Sequence, residues 1–256
     1  MTKNFFAEQS QNSEIKTQIV LGVFQLWLKD TRRGQNLSYI DLFAGPGIYE
    51  DGSLSTPLCI LQEICSQKSI ARKFNVILND KNMETLAKLR RAITNIRNAK
   101  YIKSLLTSNN DANIFAPDNT SSFVFMDPWG WKGMNCGRIN NMLQNPNCEI
   151  AMLFSFNQFN RFMNFDKFDG LFDDLFDAMA LKKIRKFCAA NTKSRKEPFV
   201  LKEFIKGIVK NRPNCYCLPF RFKMSTAAKT SHYVIFIIRD KARAELAQRV
   251  LESFSG

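Results

Sequence analysis

At 256 residues with 45% apolar composition, the chain can bury one large α/β core or two small ones, and it holds no apolar run of the roughly 18 residues that a membrane span needs. The formal net charge is +14 and there is a single histidine, which argues against His-based zinc sites and Ser-His-Asp triads. Seven cysteines without a repeating spacing argue against a disulfide framework, and a start without a signal-like apolar stretch adds the expectation of a reduced, cytoplasmic protein.

Taken in order, residues 1–12 are polar. Ile15, Ile19, Val20, Val23, Phe24, Trp27 and Leu28 recur at helical spacing, which predicts a helix over 13–30 that packs on a sheet. A basic turn leads into a strand at 38–43, broken by Gly45-Pro46-Gly47. The next stretch, to Pro57, is rich in turn formers, and Pro57 suits the first turn of a helix over 58–66. A second strand, 74–78, ends in Asn79-Asp80. A helix over 83–96 follows, then a weak strand near 101–106 and a polar loop reaching Asp111. An apolar strand at 122–126 ends in Asp127-Pro128-Trp129, and another covers 149–156. This alternation implies a parallel sheet with right-handed crossovers.

The character changes at 157–212. Phe165, Phe168, Phe172 and Phe176 recur at helical spacing with aspartates between them, which suits an amphipathic helix rather than an EF-hand loop. A second helix is expected around 199–210. Strands at 215–222 and 233–238, joined by a polar loop, predict an antiparallel edge hairpin, and a helix over 241–254 closes the chain. Cys215 and Cys217 should share one strand face as buried thiols. The expected organisation is one domain: an N-terminal helix (13–36), a core (37–156), a helical lid or insertion (157–212) and a C-terminal hairpin with helix (213–256). Charge is unevenly spread. Residues 182–229 hold 14 Lys and Arg against Glu197 and Glu203, a balance of +12, which leaves +2 for the rest. Such a segment suits either a polyanion-facing surface or a solvated face.

In a parallel sheet the strand ends share one crevice. That would bring together the turn Phe43-Ala44-Gly45-Pro46-Gly47, the strand carboxylate Asp41, the pair Asn79 and Asp80, the loop at Asp111, and Asp127. The G-x-G-x-x-G fingerprint is absent, because position 50 is Glu50. A short Gly-Pro-Gly turn leaves little room for a pyrophosphate but suits a nucleoside ligand. S-adenosylmethionine (SAM) carries an adenosine, an ammonium and a sulfonium, and carboxylates at this rim suit its ammonium and ribose. Asp41 and Gly45 to Gly47 would take its methionine end and Asp80 its ribose.

YIDLFAGPG, the STPL that follows, ILND, FMDPWG, LFSFNQFNRF and HYVIFIIRD together resemble the three-Cys-motif partner proteins, relatives of the class I SAM-dependent methyltransferases. The resemblance spans roughly residues 14–240. It implies a Rossmann-like class I methyltransferase fold and a partner protein with three cysteines. Asp127-Pro128-Trp129 is similar to the [DN]-P-P-[YFW] motif of methyltransferases that modify exocyclic base amines. There the carboxylate and proline carbonyl accept hydrogen bonds from the amine, and the ring stacks on the extruded base. The second proline is missing here, so Trp131 is the alternative stacking ring; a plain strand-end turn with two half-buried indoles is the other reading. The expected activity is methyl transfer to a base of DNA or RNA held by the basic segment. A non-catalytic nucleic-acid-binding subunit and a small-molecule or protein methyltransferase are the alternatives. Tyr49, Asn157, Asn160 and Arg161 are secondary candidates, and His232 is expected to be structural.

Overall fold

The computed structural model describes residues 8–31, 36–111, 119–128, 136–163, 176–210, 212, 214–224 and 227–255. Helix α1 (Gln11–Thr31) precedes strand β1 (Leu37–Asp41). Then come α2 (Thr56–Ile64), α3 (Lys68–Ala71), β2 (Phe74–Asn79), α4 (Met83–Thr94), β3 (Ser104–Ser108) and β4 (Ser121–Met126). The chain continues through α5 (Cys136–Met142), β5 (Cys148–Phe154), α6 (Phe156–Phe162), α7 (Ala178–Ala190) and α8 (Lys193–Val209). It closes with β6 (Tyr216–Met224), β7 (Ala227–Ile238) and α9 (Lys241–Ser253). Local signals explain several boundaries. Pro57 sits in the first turn of α2. Asn82 caps α4 by accepting from the backbone of Glu84 and Thr85, and Asp240 caps α9 by accepting from Arg243.

The strands form one seven-stranded sheet in the order β3-β2-β1-β4-β5-β7-β6. β1 to β5 run parallel, while β7 is antiparallel to both β5 and β6. This is the expected Rossmann-like α/β sheet with an antiparallel C-terminal hairpin. Alternate residues of each strand feed opposite cores. Tyr39, Phe123 and Phe125 join α1, α2, α4 and α9 on one face. Ile40, Val124 and Met126 join α5 to α8 on the other. On the first face Phe24 and Trp27 meet Phe74 and Phe123 at ring separations of 5.3–6.3 Å. Among the described residues no helix is long and apolar enough to cross a membrane.

Two expectations change in the structure. The weak third strand starts at Ser104, because Ala99–Tyr101 form a 3-10 turn after Asn98, whose φ is 67°. The polar linker expected between the last two strands is mostly strand. β6 runs to Met224 and β7 begins at Ala227, so ladder hydrogen bonding overrides the polar composition. The segment 157–212, expected as a helical lid or insertion, supplies through its described part a helical layer on the sheet. Ile184, Val200, Phe204 and Ile208 are buried against the sheet. The amphipathic helix expected from Phe165 lies outside the described residues, except for Phe176, which packs on Phe159 and Phe204. Cys215 is buried just before β6 and hydrogen-bonds Cys217. That bond draws the pKa of the Cys215 thiol down against the effect of burial, with Arg239 helping.

Gly47 has φ +85°, and a Cβ there would lie 2.9 Å from Leu58 Cδ1 and from Leu89 Cδ1. Gly47→Ala combines left-handed strain with overpacking and should cost about 2–3 kcal/mol in urea unfolding. An unchanged midpoint would mean that the turn relaxes freely.

Candidate functional site

The chain passes from β1 to β2 and β3 on one side, then returns to β4 on the other. β1 and β4 therefore pair directly, with Asp41 opposite Phe125 and a bond from Leu42 N–H to Phe125 O of 3.1 Å. A crevice at the carboxyl ends of such a strand pair is where open α/β sheets bind ligands. A cavity of about 430 Å³ opens there, within the size range of small-molecule sites. Phe43, Ala44, Gly45 and Pro46 line it on the β1 side, and Asp127 and Pro128 on the β4 side.

The remaining expected residues build the turn. Asp41 is fully buried and accepts from Phe43 N–H (2.9 Å) and from the Tyr39 hydroxyl (3.2 Å). Burial raises its pKa to about 8, and the nearby Asp127 and Asp80 charges add to the rise. Asn79 is also buried; its carbonyl accepts from Ala44 N–H (2.8 Å), and its Nδ2 donates to Leu42 O (3.2 Å). Asp80 accepts from Gly45 N–H (3.1 Å) and Asn82 N–H (2.8 Å), so it stands against the glycine turn. Asp111 does not join this group. It follows β3, the edge strand, with a half-exposed side chain 3.6 Å from Lys81 Nζ. Trp129 and Trp131 lie outside the described residues.

Several polar side chains of the cavity were missed or underweighted by pattern. Lys16 of α1 forms an ion pair with Asp127, both carrying little exposure. Burial opposes its charge, but the Asp127 carboxylate more than offsets this and raises the lysine pKa. The signal for Lys16 was present: positions 16, 20, 23 and 27 form one helix stripe, and only 16 is charged. α1 thus has two roles. Its later turns fill the core, while Asn12, Ser13 and Lys16, with Ser10 just ahead of the helix, wall the cavity. Ser13 Oγ lies 3.0 Å from the hydroxyl of Tyr49, another lining residue. His232, on β7, lines the cavity as well. Burial holds its pKa down to about 4, helped by the Lys16 charge. Asn157, by contrast, is used internally, donating to the Thr230 and Ser231 carbonyls. Asn160 and Arg161 do not line the cavity; Gln158 of the same helix does.

The basic segment is partly consumed within the fold. Lys183 pairs with Glu203 (2.6 Å), Arg221 with Glu197 (3.3 Å), and Arg212 binds Asn140 (2.9 Å). Lys182, Lys186, Lys202, Lys206 and Lys210 are exposed along α7 and α8, and Lys223 is exposed on β6. The Lys223 carbonyl accepts from the cavity residue Asn12 (2.9 Å), which sets that lysine beside the cavity.

No family model matches this chain, and no curated protein matches it. Solved structures do overlap it. LPL1258 from Legionella pneumophila covers 93% of this chain and 91% of its own, with a TM-score of 0.54 and 11% identity. The likeness is one of fold. The plantazolicin methyltransferase BpumL, solved with SAH, overlaps 90% of this chain and 86% of its own, with a TM-score of 0.45 and 10% identity. A SAM-dependent O-methyltransferase from Thermotoga maritima overlaps 84% of this chain and 63% of its own, with a TM-score of 0.42 and 11% identity.

Proposed function

We propose that this chain is a SAM-dependent methyltransferase whose acceptor is an exocyclic amine of a nucleic-acid base. One observation carries the reading: a single cavity at the β1–β4 switch joins a glycine turn, backed by Asp80, to Asp127-Pro128. The residues fit the cofactor. Gly45 lets a ligand approach the backbone closely, at a φ of 65°. Ser55 Oγ is buried in the cavity wall without a hydrogen-bond partner among the described residues, as a site awaiting a polar ligand would leave it. Asp80 keeps acceptor capacity for ribose hydroxyls beyond its two backbone bonds.

SAM supplies an electrophilic methyl group on a sulfonium. The chain supplies position and charge. Asp127 and the Pro128 carbonyl accept hydrogen bonds from the acceptor amine, which aligns the nitrogen lone pair, and such transfer needs placement more than a strong base. Lys16 holds the Asp127 carboxylate in place through their ion pair. The exposed lysines of α7, α8 and β6 favour a polyanionic acceptor, whose affinity should fall steeply with salt. The three-Cys-motif partner resemblance adds a partner protein to this proposal.

The test is transfer of labelled methyl from SAM to DNA and RNA pools at low salt. Label in a nucleic-acid base supports the reading; retained SAM without label in either pool overturns it. A result with neither label nor retained SAM favours the non-catalytic binding subunit, a reading for which the Lys16–Asp127 pair speaks, since it already gives the carboxylate a partner. Asp80→Ala should weaken SAM binding roughly 10- to 100-fold in calorimetry, the scale of a charge-assisted hydrogen bond. Unchanged affinity would remove Asp80 from the cofactor site.

A further inference from the structure

His232 is the chain's single histidine, set in β7 where the polar stretch Lys229-Thr230-Ser231 gives way to the apolar run that ends at Ile238. Its ring is clamped in place. Phe222 stacks on it at 4.7 Å with planes 16° apart, and Ser231 Oγ lies 3.0 Å from Nδ1. The backbone ahead of it is pinned by Asn157, which donates to the Thr230 and Ser231 carbonyls. With Nδ1 engaged, only Nε2 is left to bond. Nε2 is shielded from solvent and has no hydrogen-bond partner among the described residues. The side chain lines the same cavity as Lys16, Asp127 and Pro128.

A buried polar atom left unbonded is costly and asks for an explanation. Packing alone does not give one, because a phenylalanine would fill the same stack without an orphaned nitrogen. Either tautomer leaves Nε2 with one open hydrogen bond, a donor if Ser231 donates to Nδ1 and an acceptor if it receives. The imidazole is neutral at ordinary pH, because burial and the Lys16 charge hold it so. A neutral, rigid imidazole suits an uncharged heterocycle, not a phosphate.

We infer that His232 is a recognition residue for the methyl acceptor, its Nε2 hydrogen-bonding the ring edge of an amine-bearing base, adenine or cytosine, beside the amine held at Asp127. This rests on the methyltransferase reading above. Asp127 and Pro128 address the amine, which both bases share with guanine. A second polar contact on the neighbouring ring edge is what distinguishes one amine-bearing heterocycle from another.

The test uses the full chain, oligonucleotides containing adenine or cytosine as acceptors, and two variants. His232→Phe keeps the stack on Phe222 and removes the nitrogen; His232→Gln restores a polar atom at about the reach of Nε2. His232→Phe should lower kcat/KM for the oligonucleotide about tenfold or more, with calorimetric SAM affinity unchanged, and His232→Gln should recover part of the loss. In protein labelled with ¹⁵N-histidine, the lone Nε2 resonance should move on adding acceptor to the SAH complex. A phenylalanine variant as active as the parent overturns the inference and leaves the methyltransferase reading intact. Equal losses in both variants also overturn it, since shape rather than the hydrogen bond would then matter. Absence of transfer by the parent protein to any base overturns both readings.

Discussion

Asp127→Ala is expected to reduce methyl transfer at least about 100-fold while SAM affinity stays within about threefold. The reason is spatial. Asp127 follows β4 and faces the cavity from the side opposite the glycine turn, so under the proposed function it would meet the acceptor amine rather than the cofactor's ribose. Losing the carboxylate removes alignment of the nitrogen lone pair, an effect felt in the transition state and hence in kcat. The substitution has a second consequence. Lys16 keeps only 12% of its side chain exposed and would lose its partner. Stranding a mostly buried ammonium costs up to about 3–5 kcal/mol, less here because both groups keep some water contact. Activity and stability must therefore be separated. Lys16→Met in the Asp127→Ala background should recover most of the lost stability in urea unfolding, and none of the activity. A double variant that regains transfer would show that Asp127 serves only to neutralise Lys16.

Asp41→Asn is expected to flatten the pH dependence of folding. Asp41 is fully buried, and burial, with Asp127 and Asp80 nearby, raises its pKa from 3.8 to about 8. Between these values the folded chain binds a proton that the unfolded chain has released. Stability from this group is full below about pH 4 and is lost as pH rises toward 8. The slope inside the window is about 1.4 kcal/mol per pH unit, so about 2–3 kcal/mol should separate pH 5 from pH 7. Asparagine mimics the protonated carboxyl, with Oδ1 accepting from Phe43 N–H and Nδ2 facing the Tyr39 hydroxyl. The variant should match the parent near or below pH 4 and exceed it increasingly toward pH 7. Equal slopes for the two proteins would mean that Asp41 is ionised in the folded state. His232 acts in the opposite sense. Its pKa is held near 4, below the usual 6.5, so its contribution is lost as pH falls through that lower window.

Much of the fold was legible because local rules and tertiary packing agree. The stripe of Ile19, Val20, Val23, Phe24 and Trp27 reads as an amphipathic helix, and those side chains are buried against the sheet. β2 and β4 are short apolar runs bounded by turn residues, and they are strands within a residue of where pattern puts them. The glycine turn and Asp127 could be assigned to one crevice because parallel strands end on one side. That rule says which edge a residue occupies, but not how far along it. Asp111 therefore fell into the expected group although β3 stands at the sheet's edge, two strands from β1 and about 10 Å away at the usual strand spacing.

Local sequence determined the elements, the order of carboxylates along one sheet edge and the basic character of residues 182–229. Only the tertiary structure decided what each polar side chain faces. Asp41 and Asp127 both follow apolar strand residues, yet one is sealed beneath the turn by Tyr39 and the other opens on the cavity. The Lys16–Asp127 pair spans 111 residues, and His232 reaches the same cavity from the last strand. Periodicity reports neighbours three or four residues apart on a helix and two apart on a strand. Contacts between distant segments depend on strand order and on which helix covers which face, and those are set by how the whole core packs.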